Sequence, residues 1–152
     1  MVDPIVKTIE VLCNQEKAFR VFVNDMNSWW PLGKYSVSAL RGEVARSMRI
    51  EPKQGGKIVE TGPDGTEHLW GTVTSYDPHD LFTMDFHMGL PAPESPSLVE
   101  VRFTALGNER TRVELTQGNW EAYGELASDM RNGYGGGWVD IFEKAYKLAC
   151  GA

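Results

Sequence analysis

The side chains that could do chemistry in this chain are few, and their spacing supports binding better than catalysis. Gln117 is the most informative of them. It ends an alternating stretch in which Val113 and Leu115 lie on its side and Arg112, Glu114 and Thr116 on the other, so strand parity turns it inward. A buried amide needs hydrogen-bond partners. It finds them either in nearby backbone or water, or in a bound molecule that it orients. The histidines say less. Parity places His87 with Asp85, away from Phe82, Met84, Phe86 and Met88, while His68 shares a side with Trp70 and Leu69 and Val73 compete for the inside. No cluster of His, Cys, Asp or Glu has metal-ligand spacing, so neither a metal nor any other cofactor is expected. There is no Gly-x-Ser-x-Gly and no catalytic cysteine context. Gly133, Gly135, Gly136 and Gly137 resemble a phosphate loop in composition only, because no strand leads into them and no Lys-Ser or Lys-Thr follows.

Aromatic residues carry more of the argument. Five tryptophans, five tyrosines and six phenylalanines in 152 residues must line a core or a cavity. The run Met84, Phe86, Met88 fits either, since methionine adapts to an irregular ligand and equally fills a core. Trp29-Trp30-Pro31 either forms a pocket mouth or packs a corner.

The elements that must position these residues follow in order. Residues 5–12 read as a strand, and Asn14 as the N-cap of a helix from Gln15 to about Met26, stopped by Trp29-Trp30-Pro31. Residues 33–42 read as a polar linker. Residues 43–51 alternate, with Val44, Met48 and Ile50 on one side. Lys57 to Thr61 ends at Gly62-Pro63-Asp64-Gly65, a strong hairpin turn. Residues 66–76 form a long strand with Gly71 as a candidate bulge. A strand through Phe82 to Met88, a proline-rich loop at 89–97, and strands at 98–105 and 110–117 complete the sheet. From Trp138 the chain turns helical, with Ile141, Phe142, Ala145 and Ala149 on one stripe and Asp140–Lys144 and Glu143–Lys147 as i,i+4 pairs. The glycines before it should loosen the N-terminal half of that helix, at about 1 kcal/mol each relative to alanine. Gly151 is a stop signal.

Strands that run together, flanked by two amphipathic helices, predict an α+β fold with an antiparallel sheet whose one face must be covered. The length predicts one domain over 1–152. A net charge of −6 argues against nucleic acid or an anionic membrane as partner. The absence of an apolar run of about 18 residues, and of a signal-peptide pattern, predicts a cytoplasmic protein. Cys13 and Cys150 are expected as free thiols.

With these segments in hand, the chain resembles the START-like superfamily with the helix-grip fold, and within it the group related to the activator of Hsp90 ATPase. The resemblance rests on AFRVFVNDMNSWWP at 18–31, GGKIVE at 55–60 with Asp64-Gly65, GTVTSYDPHDLFTMDF at 71–86, VEVRFTALGNERTRVELT at 99–116 and GWVDIFEKAYKLA at 137–149. One departure stands in Leu115-Thr116-Gln117-Gly118-Asn119-Trp120. Many relatives carry His where this chain has Gln117, and Gly where it has Asn119. Glutamine has no proton to exchange near neutral pH, so if the His does acid–base work or contacts a ligand in some relatives, this chain cannot do it the same way.

The resemblance implies a curved sheet gripping the C-terminal helix, with an apolar cavity between them. Parity then supplies the candidate ligand-binding residues: Met84, Phe86, Phe103 and Gln117 from strands, Trp120, Tyr134, Trp138 and Phe142 from the C-terminal region, and Trp29 and Trp30 at the cap. The expected partner is a small hydrophobic molecule, with a homodimer left open. The alternatives are a polyketide cyclase or dehydratase-like enzyme acting in that cavity, and a protein that touches a chaperone. Whether the chain is an enzyme is left open.

Overall fold

The computed structural model describes residues 2–87 and 97–151. Met88 and all but the last residue of the loop expected at 89–97 lie outside the described residues. Seven strands form one sheet in the order β1-β7-β6-β5-β4-β3-β2, every neighbouring pair antiparallel. They are β1 (Ile5–Val11), β2 (Ser47–Ile50), β3 (Lys57–Thr61), β4 (Glu67–Asp77), β5 (Leu81–Phe86), β6 (Ser97–Gly107) and β7 (Arg110–Gly118). Between β1 and β2 come α1 (Gln15–Val23), α2 (Met26–Trp29) and α3 (Val37–Leu40). After β7 a 3-10 segment, Trp120–Leu126, leads into α4 (Ala127–Trp138), a π-helical stretch Val139–Tyr146, and α5 (Lys147–Ala149).

Parity makes the sheet one-sided. In β6, Ser97, Val99, Val101 and Phe103 are buried while Leu98, Glu100, Arg102 and Thr104 are exposed. In β7, Thr111, Val113, Leu115 and Gln117 are buried. Two of the sheet's three described register shifts bend its middle; the third lies at the β6–β7 hairpin end, between Ala105 and Gly107. Opposite Ile58 and Val59 the β4 partners step from Gly71 to Leu69, so Trp70 is the extra residue. Opposite Met84 and Thr83 the step is from Val73 to Ser75. Such bulges kink a strand and increase its twist, which curves the sheet toward the helices. The first shift sits beside Gly71, and it turns Trp70 inward and leaves Leu69 40 % exposed. Gly71 itself is required sterically, since a Cβ there would collide with the Asp85 carbonyl.

Local chemistry sets the helices. Asn14 caps α1, its side-chain oxygen accepting from the Lys17 amide at 2.8 Å. The helix breaks at Asn24 and Asp25, earlier than expected, and re-forms as α2, in which Asn27 accepts from the Met48 amide at 2.8 Å. Trp30, before Pro31, is extended at φ −62°, ψ 129°, as the clash with the proline ring requires. The expected linker at 33–42 contains α3, capped by Ser36 accepting from the Ala39 amide at 2.9 Å. The strand expected at 43–51 is only Ser47–Ile50. Val44 is 65 % exposed and Ala45 is buried, so the pairing that would have enforced the expected parity does not start until Ser47. His87 is buried, not turned outward with Asp85. It lies just past β5, where its amide bonds the Trp70 carbonyl at 2.8 Å.

The C-terminal helical run corrects the sequence reading twice. The glycine-bearing half, expected to be loosened, is a continuous helix, α4. The distortion comes later, in the π-helical stretch. There the stripe shifts: Trp138, Ile141, Phe142, Tyr146 and Cys150 are buried, while Ala145 and Ala149 are only half-buried. With i→i+5 bonding each turn holds more than four residues, which keeps residues four apart on the packed face. Gly151 ends the run at φ +93°. Asp140 meets Lys144 at 3.6 Å as expected, but Glu143 pairs with Lys7 of β1 at 2.8 Å. Cys13 and Cys150 are free and both buried.

Candidate functional site

The inner face of the sheet divides into two aromatic regions. Toward α1, Phe19 and Phe22 meet Phe103 with ring centroids 5.2 and 6.1 Å away, Phe22 also meets Phe82 at 6.1 Å and Tyr146 at 5.2 Å, and Phe142 stacks on Tyr146 at 5.7 Å. This region is closed. Toward α4 the rings stand around a pocket of about 330 Å³, lined by Trp30, Tyr35, Phe86, Met130, Tyr134, Trp138 and Ile141, with Leu40, Asp129, Gly133 and Gly137 completing it. Trp30, Phe86 and Trp138 are buried and form its inner wall. Leu40, Asp129 and Gly133 are exposed and form its rim.

Each wall residue is held by a traceable interaction. Trp30 donates its indole N–H to the Tyr35 carbonyl at 2.7 Å and packs on Trp70 at 5.0 Å. Trp70 in turn donates to Glu60 at 2.8 Å. The Glu60 carboxylate, 0 % exposed, also accepts from the Val37 amide at 2.7 Å, the Ser38 amide at 2.8 Å and the Ser38 hydroxyl at 2.5 Å. Burial pushes that carboxyl up, but the donors from Ser38, Val37 and Trp70 outweigh it and leave it below its ordinary value. Glu60 thereby fastens the start of α3, and with it Leu40 at the rim, to the sheet.

On the opposite wall, Trp138 donates to the Gln117 side-chain oxygen at 2.7 Å. The Gln117 amide nitrogen donates to the Ser97 hydroxyl at 3.2 Å, and Ser97 donates to the Phe86 carbonyl at 2.6 Å. Tyr123 adds a bond to the same carbonyl at 3.1 Å. Gln117 therefore stands behind the wall and orients Trp138 within it. Across the rim, the Tyr35 hydroxyl donates to Asp140 at 2.5 Å, and Lys34 reaches the same oxygen at 3.0 Å. These two partners, Tyr35 first, pull the Asp140 carboxyl down to about 2. Burial, with Tyr123 beside it, pushes the Tyr134 hydroxyl far above its ordinary value.

Of the ten residues expected from the sequence, Trp30, Phe86, Tyr134 and Trp138 line the pocket. Met84, Phe103 and Phe142 are buried outside this pocket, and Trp29 lies between Phe22 and Tyr146 in the closed region. Trp120 lies behind Tyr134, 5.7 Å away. Sequence reasoning missed Tyr35, Leu40 and Met130. A signal for the first two existed: Ser36 is a capping residue ahead of the i,i+3 apolar pair Val37 and Leu40. Among the described residues no group of three or more His, Cys, Asp or Glu could hold a metal ion, and no helix is long and apolar enough to cross a membrane.

Comparison with known proteins agrees with this architecture. No curated protein matches the chain by sequence. Among solved structures it is similar to an anthrahydroquino-gamma-pyrone synthase, at 25 % identity and a TM-score of 0.69, covering 97 % of each chain. It is similar to the self-sacrificing resistance protein CalC from Micromonospora echinospora, at 22 % identity and a TM-score of 0.70 over 97 % of this chain and 93 % of that one. It is also similar to the dimeric Aha1 of Colwellia psychrerythraea, at 13 % identity and a TM-score of 0.62 over 97 % and 98 %. The last two likenesses concern the fold alone. The sequence profile described as activator of Hsp90 ATPase homolog 1-like protein matches residues 13–145, and with most of its length inside that match the chain belongs to this family.

Proposed function

We propose that this protein binds a small, largely apolar aromatic molecule in the pocket between α3 and α4. The observation that carries the reading is the pocket's wall: Trp30, Tyr35, Phe86, Tyr134 and Trp138 surround about 330 Å³, a size and lining suited to a compact ligand held by ring contacts with few polar anchors. The family and the fold support a ligand-binding domain of the START-like kind. The similarity to an anthrahydroquino-gamma-pyrone synthase, named for a fused-ring compound, supports a flat ligand.

A binding role is favoured over catalysis by the titratable groups on that wall. The Tyr35 hydroxyl is committed to Asp140, and this bond, with burial, raises its pKa. Tyr134 is held protonated by burial. Asp129 stands at the solvent rim. Neither phenol is poised to give up a proton near neutral pH.

Titration with 2-dimethylaminonaphthalene, an uncharged dye, tests the reading. Saturable enhancement of its fluorescence is expected, and Met130→Trp, which places an indole in the pocket, is expected to weaken binding at least about tenfold. Absence of saturable binding to the folded wild-type protein would overturn it. Mass spectrometry of gently extracted protein would then identify the natural occupant.

A further inference from the structure

The tryptophans provide an internal comparison. Trp29 donates its indole N–H to the Val21 carbonyl, Trp30 to the Tyr35 carbonyl, Trp70 to Glu60 and Trp138 to Gln117, at 2.7, 2.7, 2.8 and 2.7 Å. Trp120, 0 % exposed, is the exception: its Nε1 has no hydrogen-bond partner among the described residues. An indole nitrogen can only donate, and a buried donor without an acceptor calls for an explanation. Packing does not supply one. The ring of Trp120 meets Tyr123 at 6.1 Å and Tyr134 at 5.7 Å, contacts that a phenylalanine could also make.

Tyr134 connects this group to the pocket. It lines the pocket, and its ring sits between Trp120 at 5.7 Å and Phe86 at 5.8 Å. On α4 it is flanked by Gly133, Gly135, Gly136 and Gly137. A Cβ added at Gly133 or Gly136 would meet nothing within 4 Å. The helical neighbours of Tyr134 at i−4 and i+4, Met130 and Trp138, line the pocket with it, while the i−1, i+1, i+2 and i+3 positions carry no side chain, and a displaced Tyr134 ring would open the pocket to Trp120. Among the described residues the lining holds no Lys, Arg or His; Asp129 is at the rim, and Lys34 beyond it is engaged by Asp140. A carboxylate carried to the inner end would be buried without a counter-charge. A neutral oxygen acceptor meets no such penalty.

We infer that Trp120 is a specificity-determining residue of the pocket, its indole N–H donating to a neutral oxygen acceptor on the bound molecule, which makes the ligand an aromatic ketone or a related carbonyl compound. This rests on the pocket reading above and names its ligand class.

Two dyes that differ by one group decide the matter: 2-dimethylaminonaphthalene, and the same ring system bearing an acyl group at the far end. The acyl dye is expected to bind wild-type protein roughly 3- to 10-fold more tightly, the range one added hydrogen bond supports. In Trp120→Phe the ratio of the two affinities is expected to fall to near one. With ¹⁵N-labelled tryptophan, the indole resonance of Trp120 is expected to move downfield on saturation with the acyl dye and much less with the other. This readout needs no variant, so it stands if Trp120→Phe fails to fold. Equal affinities in the wild type, or a Trp120 resonance unmoved at saturation, would overturn the inference and leave the pocket reading intact. So would an indole proton that, in the complex, contacts an ordered water only. If neither dye binds, the pocket reading fails and this inference goes with it.

Discussion

The two halves of the inner sheet face use the same kind of side chain and reach opposite ends. Near α1, Phe22 touches Trp29, Phe82, Phe103 and Tyr146, and the rings fill the inner face against one another. Near α4, Trp30, Phe86, Tyr134 and Trp138 are equally aromatic, yet they surround a pocket. The difference lies in what the helices contribute. Helix α1 supplies Phe19 and Phe22 and the π-helical stretch supplies Phe142 and Tyr146, ring against ring. Helix α4 supplies Met130, Tyr134 and Trp138 one turn apart, with four glycines just before Tyr134 and between it and Trp138. Aromatic content alone therefore does not separate a core from a site; the side chains absent from the opposing element do.

Removing a ring from each half should show this most plainly. Phe22→Ala opens a cavity in the closed half, where no neighbour can collapse without disturbing another ring. A loss of roughly 3–5 kcal/mol is expected in urea melts. A loss below about 1 kcal/mol would mean that the closed half is not close-packed. In the pocket half, Trp138→Phe keeps a ring but strands the Gln117 oxygen, which has no other donor among the described residues. A smaller loss, about 1–3 kcal/mol, is expected there. Gln117→Leu in the same background should restore part of it, because it removes the group left unpaired. A double variant no more stable than Trp138→Phe would break this account of Gln117.

The sequence made the closed half more legible than the open one. Asn14, the alternation of β6 and β7, and the apolar period of α1 are local signals, and each led to the right element. Parity placed Met84, Phe103 and Leu115 inward, and they are. Parity cannot tell a packed inward residue from one facing a void, so Met84 and Phe86 looked alike. Glu60 carried no local mark, since its role exists only once Ser38 and Trp70 converge on it. The π-helical stretch was also hidden: its residues satisfy an α-helical stripe nearly as well, and only the burial of Tyr146 and Cys150 separates the two. Hairpin turns, by contrast, announce themselves. Gly65 at φ +87° is the left-handed residue that Pro63-Asp64-Gly65 led one to expect.

The glycines of α4 offer a sharper test of the comparison. If they are there to keep the pocket open and not to allow close packing, one of them outside the pocket wall should be replaceable at a gain. Gly136 does not line the pocket, and its Cβ would meet nothing within 4 Å. Gly136→Ala is expected to stabilise the protein by about 0.5–1 kcal/mol through helix propensity and unfolded-state entropy, with dye affinity little changed. Destabilisation would show that a neighbour approaches that face of α4.

The smallest effect expected concerns how each half is fastened. Both fastenings use a tyrosine hydroxyl. Tyr146 donates to the Ala18 carbonyl at 2.7 Å in the buried half, a bond with no titrating acceptor. Tyr35 donates to the Asp140 carboxylate at the rim of the pocket half, where acid can reach it. The Asp140 carboxyl titrates at about 2 in the folded protein, chiefly through Tyr35 and then Lys34, against about 3.9 for an unperturbed aspartate. A depressed folded value means the contribution is complete above the unfolded value and is lost as pH falls through the folded one. The stabilities of wild type and Asp140→Asn should therefore differ modestly at pH 6, where exposure and salt screen the pair, and converge between about pH 4 and pH 2. Tyr146→Phe, compared in the same way, should show no such convergence, because its acceptor is a backbone carbonyl. Parallel curves for Asp140→Asn over that range would mean that the Tyr35–Asp140 bond does not hold the rim in solution.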